Sequence, residues 1–177
     1  MNRIAVAASC LAVIAFSAKA DETAAPLPLS QLLAAAQTAV DTCKANGYSV
    51  TVTVLDADLS TRLVLRGDGA PDRTVEIGRR KAYTVVKTGM SSSEFGKTVP
   101  KPTASASSPS PSISSVPPPL PGPINGDPNL ITWPGGLPIR VHGMLVGAMS
   151  ASGAPGGDKD EACVSAGLAK IAGEATR

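Results

Sequence analysis

Two short stretches of the chain carry side chains that could take part in chemistry. Arg79, Arg80 and Lys81 place three positive charges in succession, and Tyr83 and Thr84 follow them with hydroxyl groups. Guanidinium groups bind carboxylates in a bidentate fashion, so such a cluster suits an anionic ligand. It suits a solvated helix face equally well, and the two interpretations remain open.

The second stretch surrounds His142, the only histidine of the chain. His142-Gly143 has the form of a compact hairpin turn, in which a histidine is most often a solvated polar residue. Arg140 precedes the turn and Met144 follows it. The sequence contains no Gly-x-Ser-x-Gly, HExxH, paired-cysteine or EF-hand motif, so we predict no catalytic residue.

A glycine-rich segment, 153–157, comes directly before the last predicted helix. Backbone N–H groups at a helix N-terminus can bind an anion. Asp158 and Asp160 lie at the same place, where we expect them to cap the helix and to repel phosphate. The segment is therefore interpreted as a strand-to-helix loop.

Hydrophobic periodicity predicts the elements that must position these residues. We expect a first helix from Leu29 to Cys43 with Ser30 as its N-cap, and a short third helix opened by a capping box of Ser91 and Glu94. The remaining elements are a hairpin of strands 48–54 and 61–66, a helix 72–88, a hairpin of strands 138–141 and 144–150, and a helix 159–173. This order predicts a single α+β domain, in which helices pack against an antiparallel sheet built from hairpins, mainly on one face.

The first twenty residues have the pattern of a cleavable signal peptide. A short positive start is followed by an apolar run from Ile4 to Phe16, and Ala18 and Ala20 provide small residues before the cut. We therefore expect a mature chain of residues 21–177 in the periplasm or outside the cell, with no membrane span. Cleavage removes Arg3 and Lys19, so the 16 basic residues become 14, against 14 acidic ones. A neutral chain gives no electrostatic reason to expect a nucleic acid as partner.

The mature chain retains two cysteines, Cys43 and Cys163, in predicted helices. An oxidising compartment permits a disulfide between them, and the alternative is two buried thiols that never meet. A different feature separates the two hairpins, because twelve of the 16 prolines fall between Pro100 and Pro138. Together with a serine cluster, they predict a flexible, extended insert at about 101–126.

Several motifs, taken in order, resemble the GlcG/HbpS heme-binding family, which includes the C-terminal domain of certain corrinoid adenosyltransferases. They are Asp68-Gly69-Ala70, Lys81-Ala82-Tyr83-Thr84, the Pro-Gly-Gly-Leu-Pro-Ile segment 134–139, Val146-Gly147-Ala148, and Ser152-Gly153 with Asp160-Glu161. The resemblance covers roughly 29–99 and 127–172. It implies an α/β domain that assembles into homo-oligomers, and in some exported members it implies binding of heme or of iron released from it.

The resemblance also implies roles for the side chains of the two stretches described first. Heme requires cations for its propionates and an axial ligand such as His, Met, Cys or Tyr. We expect propionate contacts from Arg79, Arg80, Lys81 and Arg140, oxygen ligands from Tyr83 or Thr84, and otherwise an axial ligand from His142 or Met144. The main expectation is a protein that binds heme or another small ligand. The alternatives are an accessory module that partners a sensor or metabolic protein, and a heme-degrading enzyme.

Overall fold

The computed structural model describes residues 27–100 and 119–174, with the side chains of 172–174 left out. The predicted signal peptide, 1–20, and most of the predicted insert, 101–118, lie outside the described residues. The elements, in chain order, are α1 Leu29–Ala45, β1 Thr51–Asp56, β2 Thr61–Arg66, α2 Arg73–Thr88, α3 Ser92–Thr98, β3 Gly136–Val141, β4 Met144–Ser152 and α4 Gly157–Glu174. In this part of the chain, no helix is both long and apolar enough to cross a membrane.

The four strands form one antiparallel sheet in the order β2-β1-β4-β3. Each hairpin supplies one edge, and β1 pairs with β4 at the centre, where Thr53 lies opposite Ser150. The α+β fold and the antiparallel sheet built from hairpins are confirmed.

One face of the sheet packs against α1 and α4. The core on this face includes Val52 and Val54 of β1 and Val50, which lies just before the strand. These side chains are buried against residues of the two helices. The two helices approach closely because their contact residues are small, and a Cβ atom on Gly167 would overlap the Ala35 carbonyl oxygen. Cys43 and Cys163 form a disulfide between these helices, with their Cα atoms 5.5 Å apart, so the open question of the two thiols is decided.

The opposite face is also covered, which makes the prediction of helices mainly on one face wrong. Here β1 and β4 present hydroxyl groups, and Thr53 and Ser150 are fully buried under α2. Ser150 Oγ donates a hydrogen bond of 2.7 Å to the Gly78 carbonyl oxygen. Gly78 lets the helix approach, since a Cβ atom there would lie 3.0 Å from Thr53 Oγ1. The helix backbone satisfies the Ser150 hydroxyl, whereas the buried Thr53 hydroxyl has no hydrogen-bond partner among the described residues. The polar face is therefore an interior one.

The predicted N-terminal cap is confirmed for α3 and is wrong for α1. Ser91 and Glu94 form the predicted capping box at the start of α3. Ser30 is not the N-cap of α1, because the helix begins at Leu29 and follows Pro28, which has no side-chain cap. The Pro28 carbonyl oxygen instead accepts the backbone N–H groups of Gln31 and Leu32.

Candidate functional site

The three consecutive cations of α2 point in different directions. Successive residues of an α-helix are about 100° apart around its axis, so three neighbours cannot all face one ligand. Arg79 is half-exposed and forms a two-point ion pair with Glu76, with both N···O distances 2.8 Å. Its Nη2 also donates to Asn129 Oδ1 at 2.7 Å. The ion pair holds the pKa of Glu76 below its usual value.

Arg80 is buried and holds the segment that leads into β3. Its Nη2 donates to the carbonyl oxygens of Leu130, at 2.8 Å, and Pro121, at 3.1 Å. Thr84 lies one turn further on, and its hydroxyl accepts the Ile131 N–H at 2.9 Å. Residues 119–126, the described end of the predicted insert, therefore contact α2 through Pro121.

Tyr83 donates its phenolic proton to Asp127 Oδ2 at 2.9 Å. This bond, the largest cause, raises the pKa of Tyr83 because ionisation would place a phenolate beside a carboxylate. Asp127 also accepts the Asn129 N–H at 2.8 Å, and that bond contributes most to lowering the pKa of Asp127. The pair therefore keeps Tyr83 protonated in this arrangement.

Lys81 forms a buried ion pair with Asp160. Its Nζ lies 2.7 Å from Asp160 Oδ2 and 2.9 Å from the Ala151 carbonyl oxygen, and only 2% of the Lys81 side chain is exposed. Asp160 Oδ1 accepts the Ala154 N–H at 2.9 Å. Burial lowers the pKa of Lys81 and raises that of Asp160, against the mutual attraction of the pair. The expectation that Asp160 caps the last helix is wrong, because its carboxylate turns back to the β4–α4 loop and to α2.

Glycine is required beside this ion pair. Gly135 has a φ of +119°, and a Cβ atom there would lie 2.8 Å from Lys81 Nζ and 2.8 Å from the Asp160 Cβ. Its carbonyl oxygen accepts the Ala151 N–H at 2.8 Å, and the next N–H, of Gly136, donates to Ser92 Oγ at 2.9 Å. The Pro-Gly-Gly segment is thereby held against β4, α2 and α3.

A cleft of about 520 Å³ opens above the ion pair, between the start of α2 and the β4–α4 loop. We call it the Trp133 cleft. Its walls are Pro71, Arg73, Thr74, Ile77, Lys81, Trp133, Pro134, Ser152, Gly153, Ala154, Gly156, Gly157 and Asp160. Residues of three motifs that are distant in sequence meet here: Lys81, Pro134, and the stretch from Ser152 to Asp160. Its volume falls within the range of small-molecule sites.

The hairpin tip between β3 and β4 carries a separate group of exposed side chains. His142 and Gly143, with φ of 50° and 81°, form a two-residue turn with left-handed backbone at both positions, a type I′ arrangement. Arg140 donates to the Gly143 carbonyl oxygen at 3.1 Å and to the Gly89 carbonyl oxygen, at the end of α2, at 2.9 Å. Its guanidinium, the His142 imidazole and the Met144 thioether are all exposed at this tip.

The structure thus separates the predicted site residues into three places. Arg79, Arg80, Tyr83 and Thr84 hold the segment before β3, Lys81 lies at the Trp133 cleft, and Arg140 and His142 lie at the hairpin tip. Sequence reasoning missed Trp133 and Arg73 as cleft residues, and it missed the partner of Lys81. Asp160-Glu161 was among the motifs that carry the family resemblance, but nothing in the sequence indicated which cation would pair with Asp160. Among the described residues, no group of three His, Cys, Asp or Glu side chains is placed to hold a metal ion.

Comparison with known proteins gives one family and a set of similar solved structures. A family profile described as "Haem degrading protein HbpS-like" matches residues 27–169. A crystal structure of HbpS has a TM-score of 0.66 and 31% identity, covering 83% of this chain and 91% of that protein. A double mutant of HbpS from Streptomyces reticuli has a TM-score of 0.67 and 28% identity, covering 93% and 97%. A crystal structure of a PduOC:heme complex has a TM-score of 0.66 and 21% identity, covering 83% and 96%. No curated protein matches the chain in sequence.

Proposed function

Because this chain belongs to the family of HbpS-like proteins, we propose that it is an exported protein that binds heme. The family match carries the proposal: it spans most of the described residues, and its description names heme chemistry. The PduOC:heme complex adds that another protein of this fold forms a complex with heme.

The hairpin tip fits the donor requirements of heme. Imidazole and thioether groups are both common axial ligands of heme iron, and an arginine can bind a propionate through two N–H groups. His142, Met144 and Arg140 bring these three groups to one exposed turn. In our proposal His142 holds the iron, and Arg140, oriented by the Gly89 and Gly143 carbonyl oxygens, holds a propionate. Bound heme would supply a redox-active iron whose absorption spectrum reports its ligands.

The other predicted heme contacts stay predictions, and each of these side chains already has a partner within the protein. Arg79 and Lys81 are paired with carboxylates, and Arg80 donates to backbone carbonyl oxygens. A tyrosine binds heme iron as a phenolate, so the raised pKa of Tyr83 disfavours that role. These contacts favour the hairpin tip over the α2 residues as the heme site.

The exposed position of the tip supports a homo-oligomeric site. Heme held by His142 would leave much of its apolar ring in water, and burying that ring is favourable. We propose that a second copy of the chain covers the open face. The chain has few aromatic residues, 3% of the total, so this cover would be largely aliphatic.

Export is the remaining part of the proposal. The signal-peptide pattern of residues 1–20 supports it. The disulfide between Cys43 and Cys163 is a second, independent observation, because such bonds persist mainly in oxidising compartments. We propose a periplasmic or extracellular protein that sequesters or senses heme.

Heme degradation is the second candidate, because the family's description names it. The two candidates differ in the fate of the bound heme. A sequestering protein keeps the heme intact when a reductant and oxygen are present, whereas a degrading enzyme causes its absorption band to decay.

A hemin titration followed by absorbance in the Soret region tests the proposal and the site. We expect a saturable change in the mature protein, with the spectrum of nitrogen ligation, that is lost or shifted in His142→Ala. Asn125→Ala is the matched control, since Asn125 is also a turn residue with left-handed backbone, at φ 52°. An unchanged spectrum and affinity in His142→Ala would remove the hairpin tip as the site. Decay of the bound band with ascorbate, faster than that of free hemin, would favour degradation.

A further inference from the structure

The Trp133 cleft is separate from the hairpin tip and is lined by a buried hydroxyl group. Ser152 is only 4% exposed, and its Oγ atom has no hydrogen-bond partner among the described residues. Buried polar groups are almost always hydrogen-bonded, so an unpartnered one beside a cavity favours a ligand that supplies the missing bond. We propose that the cleft binds a small uncharged aromatic molecule, and that this molecule forms a hydrogen bond with Ser152.

Ser152 lies at the end of β4, on the face of the sheet that α2 covers. Side chains two positions apart on a strand share a face, and the Ser150 hydroxyl donates to the backbone of α2. Thr51, opposite Ser152 on β1, is bonded to Thr74 of α2. Thr53 also carries an unpartnered hydroxyl on this face, but it is 0% exposed between β1 and α2, so no ligand can reach it. Ser152 differs because it lines the cleft.

The charged side chains of the cleft wall are already paired, which favours an uncharged ligand. Lys81 is 2% exposed, and its Nζ donates to Asp160 Oδ2 and to the Ala151 carbonyl oxygen. Arg73, the other cation of the wall, also has an interaction partner. An anionic ligand would therefore lose its hydration without gaining a free cation. A cationic ligand would find both carboxylate oxygens of Asp160 already bonded, one to Lys81 and one to the Ala154 N–H.

The apolar part of the wall favours a flat ligand. Trp133, Ile77, Pro71 and Pro134 line the cavity together. Flat aromatic rings pack well on indole and proline surfaces. The volume of about 520 Å³ accommodates a single substituted ring. The wall residues include no His, Met, Cys or Tyr, the side chains that usually hold heme iron, so the cleft does not duplicate the heme site.

Hydrogen bonds within the protein hold the walls of the cleft in place. Asp160 accepts one hydrogen bond from Lys81 and one from the Ala154 N–H, so the β4–α4 loop is fixed against α2. On the other side, the Gly135 carbonyl oxygen accepts the Ala151 N–H, which holds the segment before β3 against β4. A site with fixed walls loses less conformational freedom on binding, which favours affinity.

Trp133 provides a direct assay, because it is the only tryptophan of the chain. Benzamide is titrated into the mature protein, and tryptophan fluorescence is recorded with excitation beyond the absorption of the ligand. We expect a saturable change with a dissociation constant of about 1 mM or below, as for a small fragment. Benzoate, which has the same shape with a charge, should bind at least about tenfold more weakly. Cyclohexanecarboxamide, which has the amide without the flat ring, should bind at least about threefold more weakly.

Ser152→Ala tests the hydrogen bond. It should weaken benzamide binding about three- to tenfold, the range for one hydrogen bond between neutral groups. Because the hydroxyl has no partner within the described structure, its removal should not lower the midpoint of urea unfolding, so weaker binding cannot be ascribed to a damaged fold. Ser165→Ala, at an exposed serine of α4, is the matched control and should change neither quantity. His142→Ala should retain benzamide binding, which separates this site from the heme site.

Three results would overturn the proposal. They are no saturable change up to about 10 mM benzamide, binding of benzoate or cyclohexanecarboxamide as tight as that of benzamide, and an unchanged benzamide affinity in Ser152→Ala. The first two are measured on the unaltered chain, so they remain decisive if a variant fails to fold.

Discussion

Replacing Asp160 by asparagine should destabilise the protein far more than an ordinary loss of one surface charge. The substitution keeps the size of the side chain, so little packing is lost. It leaves the Lys81 ammonium, 2% exposed, with only the Ala151 carbonyl oxygen and a neutral amide as partners. Removing one member of a buried ion pair costs about 3–5 kcal/mol, because the other charge stays buried and uncompensated.

An exposed ion pair in the same protein serves as the control. Arg66 and Asp72 are paired at the surface, with 48% and 88% of their side chains exposed. Asp72→Asn makes the same chemical change and should cost about 0–1 kcal/mol. Urea unfolding followed by circular dichroism, with the disulfide intact, measures both free energies of unfolding. A loss below about 1 kcal/mol in Asp160→Asn would refute the reasoning, since the pair would then behave as an exposed one.

The free energy of unfolding should change with pH in opposite directions in the two single variants, Asp160→Asn and Lys81→Met. In Asp160→Asn the pKa of Lys81, already lowered by burial, falls further, so the free energy of unfolding should rise as the pH rises from the lowered pKa towards the ordinary lysine value of about 10.4. In Lys81→Met the pKa of Asp160, already raised, rises further, so stability should be greatest near about pH 4 and fall as the pH rises through the raised pKa. The double variant Lys81→Met/Asp160→Leu buries no charge and should recover most of the loss. Equal slopes in the two single variants would contradict the assignment.

Two other contacts give further predictions. The disulfide joins cysteines 120 residues apart, so Cys43→Ala/Cys163→Ala should lower the free energy of unfolding by up to about 5 kcal/mol in the chain-entropy model. Urea unfolding measures this loss, and two thiols that react with a thiol reagent in the denatured, unreduced protein would show that the bond is absent. Ultraviolet titration of Tyr83 should give a pKa above the ordinary value of about 10, and Asp127→Asn should bring it down towards that value. A Tyr83 pKa unaffected by Asp127→Asn would exclude the carboxylate as the cause.

The elements of the fold could be predicted because their signals are local. Alternation in β1, the helical spacing of α1 and the capping box at Ser91 each occupy a few consecutive residues, and each was confirmed in place. The cover on the second face was not predicted, because Thr53 and Ser150 are polar. A buried hydroxyl that bonds to a helix backbone has the same sequence pattern as one that faces water.

The site depended on contacts between distant residues, which the sequence does not specify. Lys81 and Asp160 are 79 positions apart, and the two cysteines 120. The motifs identified Lys81 and Asp160 separately, but the sequence left open whether the three adjacent cations form one anion site or a solvated helix face. Only the helix geometry shows that Arg79, Arg80 and Lys81 face three different partners. Trp133 belongs to none of the motifs, and only the structure shows that it lines the cleft.

Native mass spectrometry of the mature protein, residues 21–177, with equimolar hemin is the most direct test of heme binding. The proposed function predicts an oligomer that retains one heme per chain, and loss of that heme in His142→Ala with the oligomer intact. Spectra that contain only heme-free protein, under conditions in which a known heme protein keeps its cofactor, would contradict the proposal. The family assignment and the fold would stand in that case.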